Sequence, residues 1–158
     1  MKILKSYSFK QTKQIGFEFA KQILKNKNIK NKSIVIALYG QLGAGKTLFV
    51  SGFLKGLGIK KRTTSPTFVL IKKIKISKKN FNYNYVYHID AYRIKNINEF
   101  LNLDFYELLL NPKNILIIEW PEKIEKLLPK NTIKIKIQHT KNENERKIIF
   151  QNFSFKIK

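Results

Sequence analysis

Along the first part of the chain Ile15, Phe19, Ile23 and Leu24 recur at helical spacing. Thr12, Gly16 and Ala20 fall on the same stripe, so one packing face of a helix is predicted. Ser8-Phe9-Lys10-Gln11 opens it as a capping box, with Gln three residues after the capping Ser. Asn26–Lys32, rich in Asn and Lys, reads as a loop. The period then changes. Ser33–Tyr39 is a nearly continuous apolar run, the pattern of a strand covered on both faces. It stops at Gly40, and beyond Lys46 the apolar positions Leu48, Phe49, Phe53, Leu54 and Leu57 return to helical spacing. Gly56 and Gly58 end that helix. The order is strand, glycine loop, helix.

The remaining pattern completes an α/β chain. Thr63–Thr67 is a polar turn leading into a predicted strand, Phe68–Ile76, and Tyr83–Ile89 is a second strand rich in Tyr, Val and Ile. Together they predict an antiparallel hairpin across a Lys/Asn loop. Asn96–Leu110 reads as one helix on the apolar positions Ile97, Phe100, Leu101, Phe105, Leu108 and Leu109, stopped by Asn111-Pro112. Ile115–Ile118 is a buried strand that ends at Glu119-Trp120-Pro121-Glu122. A short helix to Leu128 and two strands, Thr132–Gln138 and Arg146–Phe155, close the chain. Ser33–Tyr39 and Ile115–Ile118 are expected as near-neighbouring parallel strands, because both aim their carboxyl ends at the same place.

Size and composition narrow this picture without redirecting it. At 158 residues and 43% hydrophobic content the chain suits one domain, residues 1–158, with a core of its own. No apolar run approaches the roughly 18 residues of a membrane span, and the N-terminus lacks the apolar stretch of a secretion signal. With no cysteine there is no disulfide, thiolate zinc site or thiol nucleophile. A cytoplasmic protein is expected. The net charge of +22 would ordinarily point to nucleic acid. Of the 32 basic residues, however, only Arg62, Arg93 and Arg146 are arginine, the residue best suited to reading phosphates and base edges. Lys, Ile, Asn, Phe and Tyr, all spelled by A/T-rich codons, dominate the chain, and base-composition drift accounts for much of the charge.

The chemistry concentrates at Gly40-Gln41-Leu42-Gly43-Ala44-Gly45-Lys46-Thr47, which satisfies the Walker A pattern at every required position. Glycines let successive backbone N–H groups turn onto a phosphate, and the following helix, from Leu48, points its positive end at the same anion. Lys46 supplies a mobile charge for the β- and γ-phosphates of ATP, and the Thr47 hydroxyl can join a Mg²⁺ shell. The chain has only ten carboxylates, and two stand where that metal needs them. Asp90 follows the strand Tyr83–Ile89, and Glu119 follows Ile115–Ile118. The carboxyl ends of strands are where open α/β sheets bind ligands. Lys46 is read here as a surface-loop residue.

These blocks resemble the TsaE family of tRNA-modification ATPases. The family's marks are a Walker A loop of the form GDLGAGKT, then SPTF or SPTY, HxDxYR, and EWPE or EWP. Here they stand as Gly40–Thr47, Ser65-Pro66-Thr67-Phe68, His88-Ile89-Asp90-Ala91-Tyr92-Arg93 and Glu119-Trp120-Pro121-Glu122, in the same order. The resemblance implies a three-layer P-loop NTPase sandwich with a mixed, mainly parallel central sheet and an antiparallel hairpin section. It also implies an ATPase that works with a TsaD–TsaB pair to place threonylcarbamoyl on the adenosine beside the anticodon, with tRNA met through that complex. By position, Lys46, Asp90 and Glu119 are implied to be catalytic, with Thr47 and Glu119 toward Mg²⁺. Ser65–Phe68 would be a nucleotide-sensing switch, Trp120 would lie near the site, and Ser8 and Arg146 would stand near the base. One departure is visible: Gln41 occupies the position where the family usually has Asp.

A small-molecule or nucleotide kinase is the alternative on the same loop. Such kinases usually carry an arginine-bearing lid, and three arginines leave little for one. A guanine-reading Asn-Lys-x-Asp segment is absent, which argues against a regulatory GTPase.

Overall fold

The computed structural model of the chain describes residues 1–25, 32–59, 70–77, 82–101 and 103–154. Among these, seven strands form one sheet: β1 (Lys2–Ser6), β2 (Ile34–Tyr39), β3 (Ile71–Lys75), β4 (Tyr85–Asp90), β5 (Asn114–Glu119), β6 (Ile133–His139) and β7 (Arg146–Gln151). Their order across the sheet is β1-β7-β6-β2-β5-β4-β3. The four central strands, β6, β2, β5 and β4, are mutually parallel, and β3, β7 and β1 extend the margins antiparallel. The expected pairing holds: β2 and β5 are adjacent and parallel, Leu38 opposite Glu119. The β3–β4 hairpin is antiparallel, also as expected.

Helices cover both faces. Helix α1 (Phe9–Lys25) and helix α2 (Lys46–Gly56) lie on one side. There Phe19, Phe49 and Phe53 pack with Ile36, Leu38, Ile117, Ile135 and Phe150 in one apolar cluster. On the other side Val35, Ile89, Leu116 and Ile118 pack against Phe100, Phe105 and Ile124. The capping box opens α1: the Gln11 N–H donates to Ser8 Oγ at 3.1 Å, and the Gln11 side chain accepts from the Tyr7 N–H at 2.7 Å. That second bond reaches one residue further back than the usual capping box. Helix α2 ends at Leu57, followed by Gly58 at φ 81°, a left-handed C-terminal stop.

Helices α1 and α2 approach so closely that Cβ atoms have no room at the crossing. A methyl group on Gly52 would strike the backbone of Lys13, and one on Gly16 would strike the Phe49 carbonyl. The glycines therefore set the spacing that brings the N-terminal end of α2 beside the start of α1.

Two sequence expectations change. Asn96–Leu110 is not one helix but two, α3 (Ile97–Leu101) and α4 (Phe105–Leu110). Asp104, at φ 54°, turns the chain between them; Asp adopts this left-handed conformation more readily than most side chains. Strand β1 was not foreseen at all. Only Leu4 and Ser6 of its five residues are buried, and it exists through its pairing with β7 at the far end of the sequence. The short segment before Leu128 is a kinked 3-10 helix, Pro121–Leu127.

Candidate active site

The loop Gly40–Thr47 leaves the carboxyl end of β2 and runs directly into α2. Gly45 stands at the N-cap of α2 with φ 102°, where a side chain would be strained, so the turn that aims the helix end at the cavity depends on glycine. The Ala44 N–H donates to the Gln41 carbonyl at 3.2 Å, closing the loop on itself. Arg146 braces it from behind. Its guanidinium is buried and donates to the Ala44 carbonyl at 3.0 Å and to the carbonyls of Glu143 and Glu145 at 2.5 and 2.9 Å.

Lys46 is buried, contrary to its reading as a surface-loop residue. The loop folds around its side chain. The ammonium donates to the Gly40 and Gln41 carbonyls at 2.6 and 3.0 Å and lies 4.2 Å from the centre of the Trp120 ring. Burial pushes its pKa below the ordinary lysine value, while the negative charges of Glu119, Glu122 and Asp90 pull the other way. A cation held this way is poised for a multiply charged anion, which would restore what burial removes.

The two carboxylates expected from sequence meet at one level of the sheet. Asp90 is the last residue of β4 and Glu119 the last of β5, and they are register partners on adjacent parallel strands. Both are buried. Asp90 Oδ1 accepts from the Tyr92 N–H at 3.1 Å, capping a 3-10 turn at Ala91–Arg93. Glu119 Oε1 accepts from His88 Nε2 at 2.8 Å.

One cavity of about 460 Å³ gathers these groups. Gly43–Leu48, Asp90 and Glu119 line it, with Leu42, Phe9, Tyr92 and Trp120 adding apolar wall. The oxygen donors there, a threonine hydroxyl and two carboxylates, suit a hard cation such as Mg²⁺. No group of three or more His, Cys, Asp or Glu that could hold a metal by itself is found among the described residues. Gly40 and Gln41 face a second cavity, of about 640 Å³, together with Trp120, Glu122, Lys136 and His139.

The weaker sequence candidates fall around this centre. Ser8 is the exposed cap of α1 and does not line the cavity, although the next residue, Phe9, does. The Arg146 guanidinium reaches the loop at the Ala44 carbonyl, and Arg146 does not line the cavity. The proposed switch Ser65–Phe68 lies outside the described residues. Phe9 and His88 were given no role from sequence. Phe9 carries no local chemical signal, whereas a histidine two residues before an acid in one strand shares its face, and that spacing could have drawn attention to His88. Trp120, adjacent to Glu119, takes φ 57°, a left-handed conformation that costs on the order of 1–3 kcal/mol in a bulky residue. It is held there between Lys46 and the Tyr92 ring, whose centre lies 5.1 Å from its own.

Comparison with known proteins gives a consistent result. A family model described as threonylcarbamoyl adenosine biosynthesis protein TsaE matches residues 6–148. A Bacillus subtilis (strain 168) relative is 39% identical over 116 residues, covering 73% of this chain and 68% of its own. One from Rickettsia typhi is 38% identical over 151 residues, 94% of each chain. Both are named tRNA threonylcarbamoyladenosine biosynthesis protein TsaE. The crystal structure of Bacillus subtilis YdiB is similar at a TM-score of 0.67 and 27% identity, over 94% of this chain and 83% of that one.

Proposed function

The chain belongs to the TsaE family, and from that membership we propose that it is the MgATP-hydrolysing subunit that supports threonylcarbamoylation of tRNA. In this reading it acts with a TsaD–TsaB pair on the adenosine beside the anticodon. The pair performs the transfer, and ATP hydrolysis here supports repeated turnover. The observation that carries the proposal is the convergence of Lys46, Thr47, Asp90 and Glu119 on one cavity at the carboxyl ends of parallel strands.

The work of each residue follows from its place. Backbone N–H groups of the loop and the N-terminal end of α2 bind the phosphates. Lys46 turns from its loop carbonyls to the β- and γ-phosphate oxygens, where its charge counts most as the transition state spreads charge over them. Thr47 and Glu119 would hold Mg²⁺, which when bound would neutralise charge developing on the phosphates. Asp90, held by the Tyr92 N–H, orients the attacking water.

Two substitutions separate the carboxylate roles. Loss of a metal ligand is expected to be partly rescued by high Mg²⁺, and loss of a water-orienting acid is not. Phosphate release by Glu119→Ala should therefore recover with added Mg²⁺ while Asp90→Ala stays inactive. Equal rescue of both, or the reverse order, overturns the assignment. The function itself is tested by co-purification with TsaD and TsaB, then by tRNA modification with and without ATP; no association, or modification indifferent to this chain, would sink it.

A further inference from the structure

We infer that His88 is a positioning residue for Glu119, fixing the carboxylate in the orientation from which it reaches a divalent cation. The inference rests on the reading of Glu119 as the metal carboxylate and adds the group that prepares it. His88 is fully buried in β4, and Glu119 is buried in β5. Register places Asp90 opposite Glu119 and His88 opposite Ile117, so the imidazole reaches diagonally along one face to the next residue on that face. The bond is short, 2.8 Å from Nε2 to Oε1.

The chemistry of that bond sets its direction. An ionised carboxylate only accepts, so Nε2 carries the hydrogen and donates. Nδ1 is the ring atom with no hydrogen-bond partner among the described residues. A buried histidine with half its polar capacity unmet is a cost to the fold. Packing alone would be better served by an apolar side chain, as at its strand neighbours Val86 and Ile89, both fully buried. What His88 does contribute is a hold on one oxygen of a long, rotatable carboxylate. The other oxygen remains for the cavity that Glu119 lines. Hydrogen-bonded partners of this kind set ligand orientation, and losing one typically weakens metal binding by roughly 10–100-fold.

The test compares His88→Met, which keeps the bulk and removes the donor, with His88→Gln, whose amide N–H can reach the same oxygen. Mn²⁺ is the probe, titrated by electron paramagnetic resonance into the full chain with a non-hydrolysable ATP analogue. Metal-free binding of that analogue is followed separately through Trp120, the one tryptophan. The expected result is Mn²⁺ affinity lowered about 10–100-fold in His88→Met, metal-free nucleotide binding unchanged, and most of the loss recovered in His88→Gln. Unchanged Mn²⁺ affinity in His88→Met overturns the inference, as does a parallel loss of metal-free nucleotide binding or no recovery in His88→Gln. If the wild-type chain binds the nucleotide but not Mn²⁺, the metal role of Glu119 fails, and this inference falls with it. Should His88→Met not fold, His88→Gln decides: near wild-type Mn²⁺ affinity supports the inference, and a tenfold loss in a folded protein overturns it.

Discussion

Lys46 shows how much a single side chain depends on its surroundings. The motif names the residue, but the folded loop decides that its ammonium is buried, bonded to two carbonyls and set against the Trp120 ring. Lys46→Ala is expected to lower ATP hydrolysis by about 10²–10³-fold, the scale seen when one preorganised transition-state contact is removed. The fold should persist, now for a different reason than surface exposure. A buried charge adds little net stability, because its desolvation offsets most of what its partners return. Phosphate release and circular dichroism on the same preparation check both halves, and hydrolysis near the wild-type rate would show that this loop is not the catalytic site. The positions of Lys46, Asp90 and Glu119 were legible because strand ends and glycine loops leave local marks. The role of Trp120 as a wall against Lys46 was not, since its left-handed backbone depends on contacts from Tyr92 and Lys46, remote in sequence.

At the scale of elements, the crossing of α1 and α2 carries the site. It sets where the capped start of α1 lies relative to the phosphate loop, and Phe9 reaches the cavity from there. Gly52→Ala would drive a methyl group into the Lys13 backbone, which cannot move without shifting α1. Overpacking of this kind costs about 1–3 kcal/mol, and at roughly 2–4 °C per kcal/mol for a chain this size the melting temperature should fall by several degrees. A thermal melt that matches wild type would show that the two helices can separate freely. Helical spacing identified α1 and α2 from sequence, because their apolar residues recur at intervals that pack both helices on one sheet face. It misread Asn96–Leu110 as a single helix for the same reason. Apolar residues recur on both sides of Asp104 at compatible intervals, and periodicity does not register the left-handed backbone at Asp104.

For the whole molecule, the dominant electrostatic feature is a net charge of +22. That figure is what remains after all ten acids are counted, and the ion pairs Lys134–Glu125 at 2.7 Å and Lys5–Glu145 at 3.3 Å, each with one exposed member, contribute little. Catalysis by such sites is mostly positioning, so a site missing a group idles until a partner supplies it. Gln41, in place of the family's acid, points the same way. Hydrolysis by the isolated chain is expected to be slow and to rise at least about tenfold with the TsaD–TsaB pair, a change of about 1.4 kcal/mol in barrier. If the basic surface helps docking, the stimulated rate falls as salt rises; if the charge is codon drift alone, it changes little. Brisk hydrolysis without the pair, indifferent to its addition, would favour a kinase or an independent ATPase.

By itself the sequence determined the strand–loop–helix unit, the parallel pairing of β2 with β5 and the identity of the two acids at strand ends. The unit and the acids are written in residues close together, through period, glycine placement or an acid after an apolar run, and the pairing follows from the need of both strands to aim their carboxyl ends at one place. The tertiary structure alone decided the rest. Strand β1 forms because β7 offers it an edge, α1 and α2 approach because glycines from two segments coincide, and His88 meets Glu119 because register aligns two strands 31 positions apart. Those contacts join distant parts of the chain, and no local pattern encodes where a partner will arrive.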